Sequence, residues 1–544
     1  MDISTNTIEH FGIVAGIFDE LGIGKIIDRA LPKTRHHKAS HSAIIKAMSL
    51  NGLGFNESRL YFYSNFFIGL PTESLLGEGI SPSNLNDDTL SRTLDAIYDY
   101  GPTELFNELA LQVMNKMAEE THLLHVDTTN FSMFGKYEGD APDGTDSIEI
   151  TFGHAKDNRM DLKRFVLGMV VNQHGVPLFM QSFSGNKSDK KSLPEMIQKL
   201  RESVSLDDSS YWVADSAIYS EENLKLLGKD LHWLTRVPET VGAAKDLISA
   251  ELEMIPAKDP RYAFHATSLN YGGIAQKAVV FWSQEMQAQK EKTFDKNLQK
   301  KWDDARKDLN SLKRQRYACE PDAISAAKKW ISDHPLFKLE DLRAPSILER
   351  AEKKRGRPKK DEARIYQYAI EADIKIDQES VIRERQKLGR FLLASNDLDL
   401  DPETMLNYYK GQQVVERGFR FLKDKSFHTS EFFLKKEERI EALAMIMVLC
   451  LLIYSYAEWK LRRRLKEEGQ SVPNQLKKPT QKPTMRWIFQ LFMRVTLDNN
   501  NSNRGPTCDP AANKFERDSG FSAKSTRARL QKILWIGVLM RNVG

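Results

Sequence analysis

The segment from residue 120 to 237 constrains the fold most. Its apolar residues fall in short runs: LLHVDTTNFSMFG from 123, IEITFGHAKD from 148, and RFVLGMVVNQHGVPLFMQSF from 164, which turns at 173–175. Runs of this length bounded by turn residues predict β-segments. A helix is predicted around SLPEMIQKLRES (192–203), then a strand in YWVADSAIY (211–219), a helix in SEENLKLLG (220–228) and a strand in HWLTRVP (232–238). Successive strands followed by alternating strand and helix predict an α/β core with a mixed sheet flanked by helices.

At 544 residues the chain is too long for a single hydrophobic core. Residues 1–118 read as a helical N-terminal domain, a possible DNA-binding unit. FGIVAGIFDELGIGKIIDRAL (11–31) has helical apolar spacing, and LNDDTLSRTLDAIYDYG (85–101) opens with N-cap types at Asn86 and Asp87. The first part of the core is expected over 119–239. Residues 240–390 read as an inserted α+β subdomain. It would hold a strand pair (261–273 and 275–283), a charged helical run over 284–332, the basic loop KKRGRPKK (353–360) and the strand-like RIYQYAIEADIKI. FLLASN (391–396) marks the return to the sheet. Helices continue the core over 391–468, and a basic tail is expected over 469–544.

Charge is uneven. Residues 459–544 hold 18 Lys and Arg against 6 Asp and Glu, a local +12 in a chain whose net charge is +4. That imbalance fits a polyanion partner, and equally a solvated basic surface. Cys319, Cys450 and Cys508 are too scattered for a disulfide framework or a zinc site, which fits a reducing cytosol. The first residues lack the basic and apolar regions of a signal peptide. The apolar run 442–457 is 16 residues, short of the roughly 20 needed to span a bilayer, and predicts a buried core helix.

Two acids end apolar strands: Asp127 in HVDTTNF and Asp215 in WVADSAI. Carboxylates on adjacent strand ends can hold divalent cations, and hard oxygen donors suit Mg²⁺ or Mn²⁺. Either aspartate also fits a turn or N-cap. His125 shares the strand face of Asp127 and fits a ligand shell or a core histidine. Asn186, Lys187 and Asp189 fit a site-lining loop or a plain capped turn. A third acid lies in PETMLNYYKGQQVVERGFRFLKDKSF, which predicts one helix over 403–424. Helical spacing places Tyr409, Gln412, Glu416, Arg420 and Lys423 on one face, beside an apolar stripe of Val415, Phe419 and Leu422. That pattern alone also fits an ordinary amphipathic helix with surface ion pairs.

The spacing Tyr409, two residues, Gln412, three residues, Glu416, six residues, Lys423 resembles the Tyr-Arg-Glu-Lys signature of insertion-sequence DDE transposases of the IS-four-like group. The acids' contexts, V-D-T-T and V-A-D-S, the FRFLKD after the glutamate and the long insertion between the second and third acids are similar too. The resemblance covers about 120–460. It implies a ribonuclease H-like catalytic core with Asp127, Asp215 and Glu416 as catalytic and metal-binding residues and two Mg²⁺ or Mn²⁺ ions per site. It further implies a bacterial, nucleoid-associated cytoplasmic enzyme that binds double-stranded terminal inverted repeats, cleaves the ends and joins the 3′ hydroxyls to target DNA. A homodimer in the DNA complex and no membrane partner are expected. Tyr409 and Lys423 would contact DNA near the cleaved end. Gln412 departs from the signature arginine and cannot make its bidentate phosphate grip; Arg420, on the same predicted face, can substitute. Arg355 and Arg357, in a run resembling an AT-hook, would read a minor groove unless the run is a solvated linker. A nuclease without strand transfer and a retired DNA-binding derivative remain the alternatives.

Overall fold

The protein is described by a computed structural model over residues 5–33, 38–54, 63–135, 137, 147–155, 159–203, 209–228, 231–350, 364–424, 434, 436–493, 495–498 and 507–508. At its centre is a nine-stranded mixed sheet. The first five strands are β1 (Leu123–Met133), β2 (Lys163–Asn172), β3 (Pro177–Ser184), β4 (Tyr211–Ala214) and β5 (His232–Val237). The rest are β6 (Ile255–Pro256), β7 (Tyr262–Tyr271), β8 (Ile274–Ser283) and β9 (Arg390–Ser395). Their order across the sheet is β3-β2-β1-β4-β5-β9-β8-β7-β6. β1, β4 and β5 run parallel, and the remaining pairings are antiparallel. This is the mixed sheet that the sequence predicts.

β1 is a central strand, and its two faces meet different layers. Leu124 and Val126 pack with Leu193 and Ile197 of the helix Asp189–Ser203. Phe131 and Met133, on the opposite face, join a core built with helical residues from both ends of the chain. Both faces are buried, and the polar residues His125, Thr128, Thr129 and Asn130 are buried with the strand. The second face therefore decides which helices meet Asp127.

N-terminal helices α1 (His41–Leu53), α2 (Asp87–Tyr100) and α3 (Pro102–Met117) share that core. Asn86 caps α2, its side chain accepting from Thr89 N at 3.0 Å. Further helices are α4 (Asp189–Ser203), α5 (Gln284–Arg314), α6 (Glu320–Asp333), α7 (Pro402–Gly411), α8 (Gln413–Leu422), α9 (Glu437–Glu467) and α10 (Met485–Phe492). α9 is the one helix among the described residues long and apolar enough to cross a membrane. Its apolar window is 78% buried, so it is a core helix. Polar ties fasten it to the N-terminal helices: Arg439 grips Asp95 with two nitrogens at 2.6 and 2.8 Å, and Lys460 donates to Glu20. Bidentate geometry makes the first tie directional as well as electrostatic.

Four sequence expectations are corrected. Residues 148–155, the described part of the expected strand 148–157, do not form a regular strand; Thr151 makes one isolated bridge to Arg164. The donors that would pair a strand go to carboxylates at the start of α9, Ile148 N to Glu441 at 3.0 Å and Ile150 N to Glu437 at 3.2 Å. The strand pair assigned to the insertion instead extends the main sheet, as β7 and β8. Both edges of the apolar β9 need partners, and β8 supplies the one that β5 does not. The charged run over 284–332 is two helices, α5 and α6. Pro321, which has no N–H, sits in the first turn of α6, and Tyr317 bridges to Tyr368 in the break. The expected tail includes α10, whose Ile488 and Phe489 are buried in the N-terminal core.

The Glu441 contact makes stability pH-dependent. Burial raises its pKa to about 7, although the Ile148 N–H partly opposes this. A carboxyl with a raised folded-state pKa contributes its stability below the unfolded pKa, and that contribution is lost as pH climbs through about 7. Urea unfolding should therefore show wild-type stability falling between pH 5 and 8. Glu441→Gln should flatten the fall by up to about 3 kcal/mol. Identical pH slopes in the two proteins would refute the assignment.

Candidate active site

The parallel strands bring two of the acids together. Val126 on β1 is in register with Ala214 on β4, and Ala214 with Thr235 on β5. The next residues are Asp127, Asp215 and Arg236. They stand side by side on three strands spaced about 4.8 Å apart. Since side chains alternate along strands, all three lie on the face opposite Val126 and Ala214, where α7 and α8 pack.

Each aspartate is also tied locally. Asp127 Oδ1 accepts from Thr128 N at 2.7 Å. Asp215 caps a short 3-10 turn, its Oδ1 accepting from Ala217 N at 2.8 Å, while its backbone carbonyl accepts from Thr235 Oγ1 at 2.8 Å. The capping role and the site role thus fall on one residue, with β5 fixing the backbone that carries it.

The helix predicted over 403–424 is broken at Gln412. α7, capped by Asp401 through Thr404 N at 3.1 Å, ends at Gly411, and α8 starts at Gln413. The Gln412 N–H reaches back three residues to Tyr409 O at 3.0 Å, a tightened turn. Gln412 keeps helical dihedrals, and helical spacing sets it close to the buried Phe419. Gln412 is 8% exposed, and its side chain meets β1. Its Nε2 donates to Val126 O at 3.0 Å, and its Oε1 lies 3.2 Å from His125 Nδ1.

From that contact α8 runs along β1. Gln412 meets His125 at one end, and Lys423 Nζ lies 5.5 Å above the Phe131 ring at the other. Glu416 is four residues on from Gln412, a rise of about 6 Å; Asp127 is two residues on from His125, about 6.6 Å. The helix thus carries Glu416 to the level of Asp127. Val415, Phe419 and Leu422 are buried beneath, as the stripe predicts, while Glu416, Arg420 and Lys423 are exposed.

Tyr409 reports on the assembled charges. Burial raises its phenol above the ordinary tyrosine range; Arg236 opposes the shift, and Asp215 and Glu416 add to it. One phenol thus senses the second aspartate, the glutamate and Arg236. Arg236 was missed in the sequence because only parallel pairing sets it beside Asp215; its signal was a lone charge ending the apolar run HWLTRV. Burial also lowers the His125 pKa to about 4, opposed by its Gln412 contact.

The donor chemistry fits a divalent cation: two oxygen ligands on adjacent rigid strands and a third on a helix above them. Among the described residues, no group of three acid, histidine or cysteine side chains is already closed around one point. Asp189, at the start of α4, accepts from Thr128 Oγ1 at 2.5 Å, next in sequence to Asp127. Lys187 pairs with Glu195 at 2.8 Å. Arg355 and Arg357 lie outside the described residues, as does most of the basic cluster at 33–38.

Residues 124–453, more than half of the chain, match the family described as Transposase DDE domain. Residues 3–111 match Domain of unknown function (DUF4277). No curated protein matches the chain.

Proposed function

This chain belongs to the DDE transposase domain family, and from that premise we propose that it binds the terminal inverted repeats of a mobile element, cleaves the ends and joins the freed 3′ hydroxyls to target DNA. Membership implies DNA transposition and a divalent-metal requirement. The observation that carries the finer reading is the register of β1 and β4, which sets Asp127 beside Asp215 under the helix bearing Glu416.

Asp127, Asp215 and Glu416 are the catalytic carboxylates in this reading. They would hold two Mg²⁺ or Mn²⁺ ions, which supply Lewis acidity at the attacking and leaving oxygens of the phosphodiester. The strands fix the aspartates, and α8 carries Glu416 to the level of Asp127. Tyr409 orients the end through its phenol beside Arg236. Arg420 and Lys423, on the exposed side of α8, receive phosphates as fork and point charge. The Tyr409, Glu416 and Lys423 spacing supports placement in the IS-four-like group. Handling two ends requires two active sites, so the DNA complex is a homodimer.

The test incubates purified protein with labelled terminal DNA and Mg²⁺. Nicked and joined products are expected, and EDTA should suppress both. Nicking without joining would identify a nuclease instead. Bound DNA that is neither nicked nor joined would overturn the enzymatic reading. In the same assay Arg420→Ala should cut about 10-fold more slowly, the loss expected for one charge-assisted contact of about 1.5 kcal/mol. Unchanged cutting would remove Arg420 from the DNA contacts.

A further inference from the structure

Gln412 is the residue at which the chain departs from the signature, and its surroundings give it a different task. Its amide orientation is determined by its partners. Val126 O can only accept, so the Gln412 group facing it is the NH₂, and Oε1 faces His125. His125 Nδ1 must then donate, which makes His125 the neutral Nδ1–H tautomer. Its Nε2 is buried and has no hydrogen-bond partner among the described residues.

That unpaired edge lies against Gly411. A Cβ at Gly411 would stand 2.7 Å from His125 Cε1 and 2.8 Å from Nε2. The helix break therefore closes on the imidazole with no room for a methyl group, while Gln412 hydrogen-bonds both the ring and the strand backbone. Three consecutive residues of β1, His125 to Asp127, thus include two partners of this joint and the first acid. One helical turn beyond the joint is Glu416.

We propose that Gln412 is a positioning residue: with His125 and Gly411 it locks the α7–α8 joint onto β1 and so sets Glu416 against Asp127. This rests on the assignment of those two acids to the metal site. Gln412 occupies the place of a DNA-gripping arginine but does its work beneath the helix. An arginine there would bring five donors into a pocket that supplies one carbonyl and one ring edge.

The experiment compares wild type, Gln412→Met, Gln412→Glu and Gly411→Ala. Met keeps the length of Gln412 and loses both hydrogen bonds; Glu keeps the acceptor for His125 and loses the donor to Val126. Mn²⁺ binding is measured by calorimetry, terminal-DNA affinity by gel shift in EDTA, and cleavage as a function of metal concentration. Gln412→Met should weaken Mn²⁺ binding about 10-fold or more and raise the half-saturating metal for cleavage in parallel. DNA affinity in EDTA should stay within about 2-fold. Gln412→Glu should fall between Met and wild type. Gly411→Ala removes no polar group and should give the same pattern, which keeps the test open if Gln412→Met fails to fold.

Loss of EDTA-phase DNA affinity equal to the loss of cleavage would make Gln412 a DNA contact and overturn the proposal. Unchanged metal binding in both Gln412→Met and Gly411→Ala would also overturn it. A wild-type protein that binds Mn²⁺ and DNA but does not cut would defeat the transposase reading alone, since calorimetry still tests the joint.

Discussion

Asp127→Ala, Asp215→Ala and Glu416→Ala should each lower DNA cleavage and joining by about 10³-fold or more, with binding to terminal DNA in EDTA unchanged. The expectation follows from where the charges sit. Asp127 and Asp215 directly follow the paired residues Val126 and Ala214 on parallel strands, so each holds a fixed place beside the other. Removing one leaves a site with too few hard donors for its ions. The asparagine variants separate chemistry from structure. Asp215 caps Ala217 N, and asparagine caps as well as aspartate does. Asp215→Asn should therefore keep wild-type stability while losing cleavage, whereas Asp215→Ala should also lose about 1 kcal/mol from the missing cap. Normal cutting by Asp215→Asn would reduce Asp215 to a cap and end the case for the triad. Unfolding free energies of the two variants, measured beside the cleavage assay, decide between these outcomes.

How much of this was legible in the sequence depended on the range of the interactions. The central strands announce themselves by short apolar runs, and an acid that follows such a run stands out; Asp127 and Asp215 were found that way, although β1 continues past Asp127 to Met133. The apolar run at 442–457 predicted a buried helix, and α9 is one. Local capping at Asn86 was equally legible. Expectations failed where distant partners decide. The break at Gln412 depends on His125 and Val126, nearly 290 residues earlier, and helical periodicity runs through it unmarked. Residues 148–150 have strand-like alternation, yet the Ile148 and Ile150 donors go to Glu441 and Glu437 on α9. β7 and β8 looked like part of an insertion because sequence order places them after β5, while β9, over 100 residues later, is what joins β8, and through it β7, to the sheet. Arg236 escaped notice for the same reason: only parallel pairing sets it beside Asp215.

Gly185→Ala is expected to cost about 3–5 kcal/mol and to disturb the site from a distance. A Cβ at Gly185 would lie 2.1 Å from Arg164 O and 2.6 Å from Thr151 O. Those two carbonyls are themselves engaged, since Thr151 N donates to Arg164 O at 3.2 Å and Arg164 N to Thr151 O at 2.9 Å. Gly185 N adds a bond to Glu149 O at 3.0 Å. Three backbone segments therefore meet with no side chain between them. Below the contact the Arg164 side chain is fully buried, its Nη2 donating to Arg159 O at 2.6 Å and Leu162 O at 2.9 Å, so β2 cannot shift without breaking those bonds as well. Gly168→Ala is the control. Its Cβ would meet the Met196 sulfur at 2.2 Å and methyl carbon at 2.9 Å, the movable end of a flexible side chain. It should cost about 1–3 kcal/mol, the ordinary range for overpacking. Urea unfolding of both variants tests the difference, and equal losses would show that backbone contact is not the limiting term at Gly185. The chemistry should follow the fold. Gly185 leads through a short turn into α4, whose Asp189 accepts from Thr128 Oγ1 at 2.5 Å, one residue from Asp127. Gly185→Ala protein that still folds should therefore cut DNA more slowly than Gly168→Ala protein of matched stability, because the displaced turn pulls on the strand that holds the first acid.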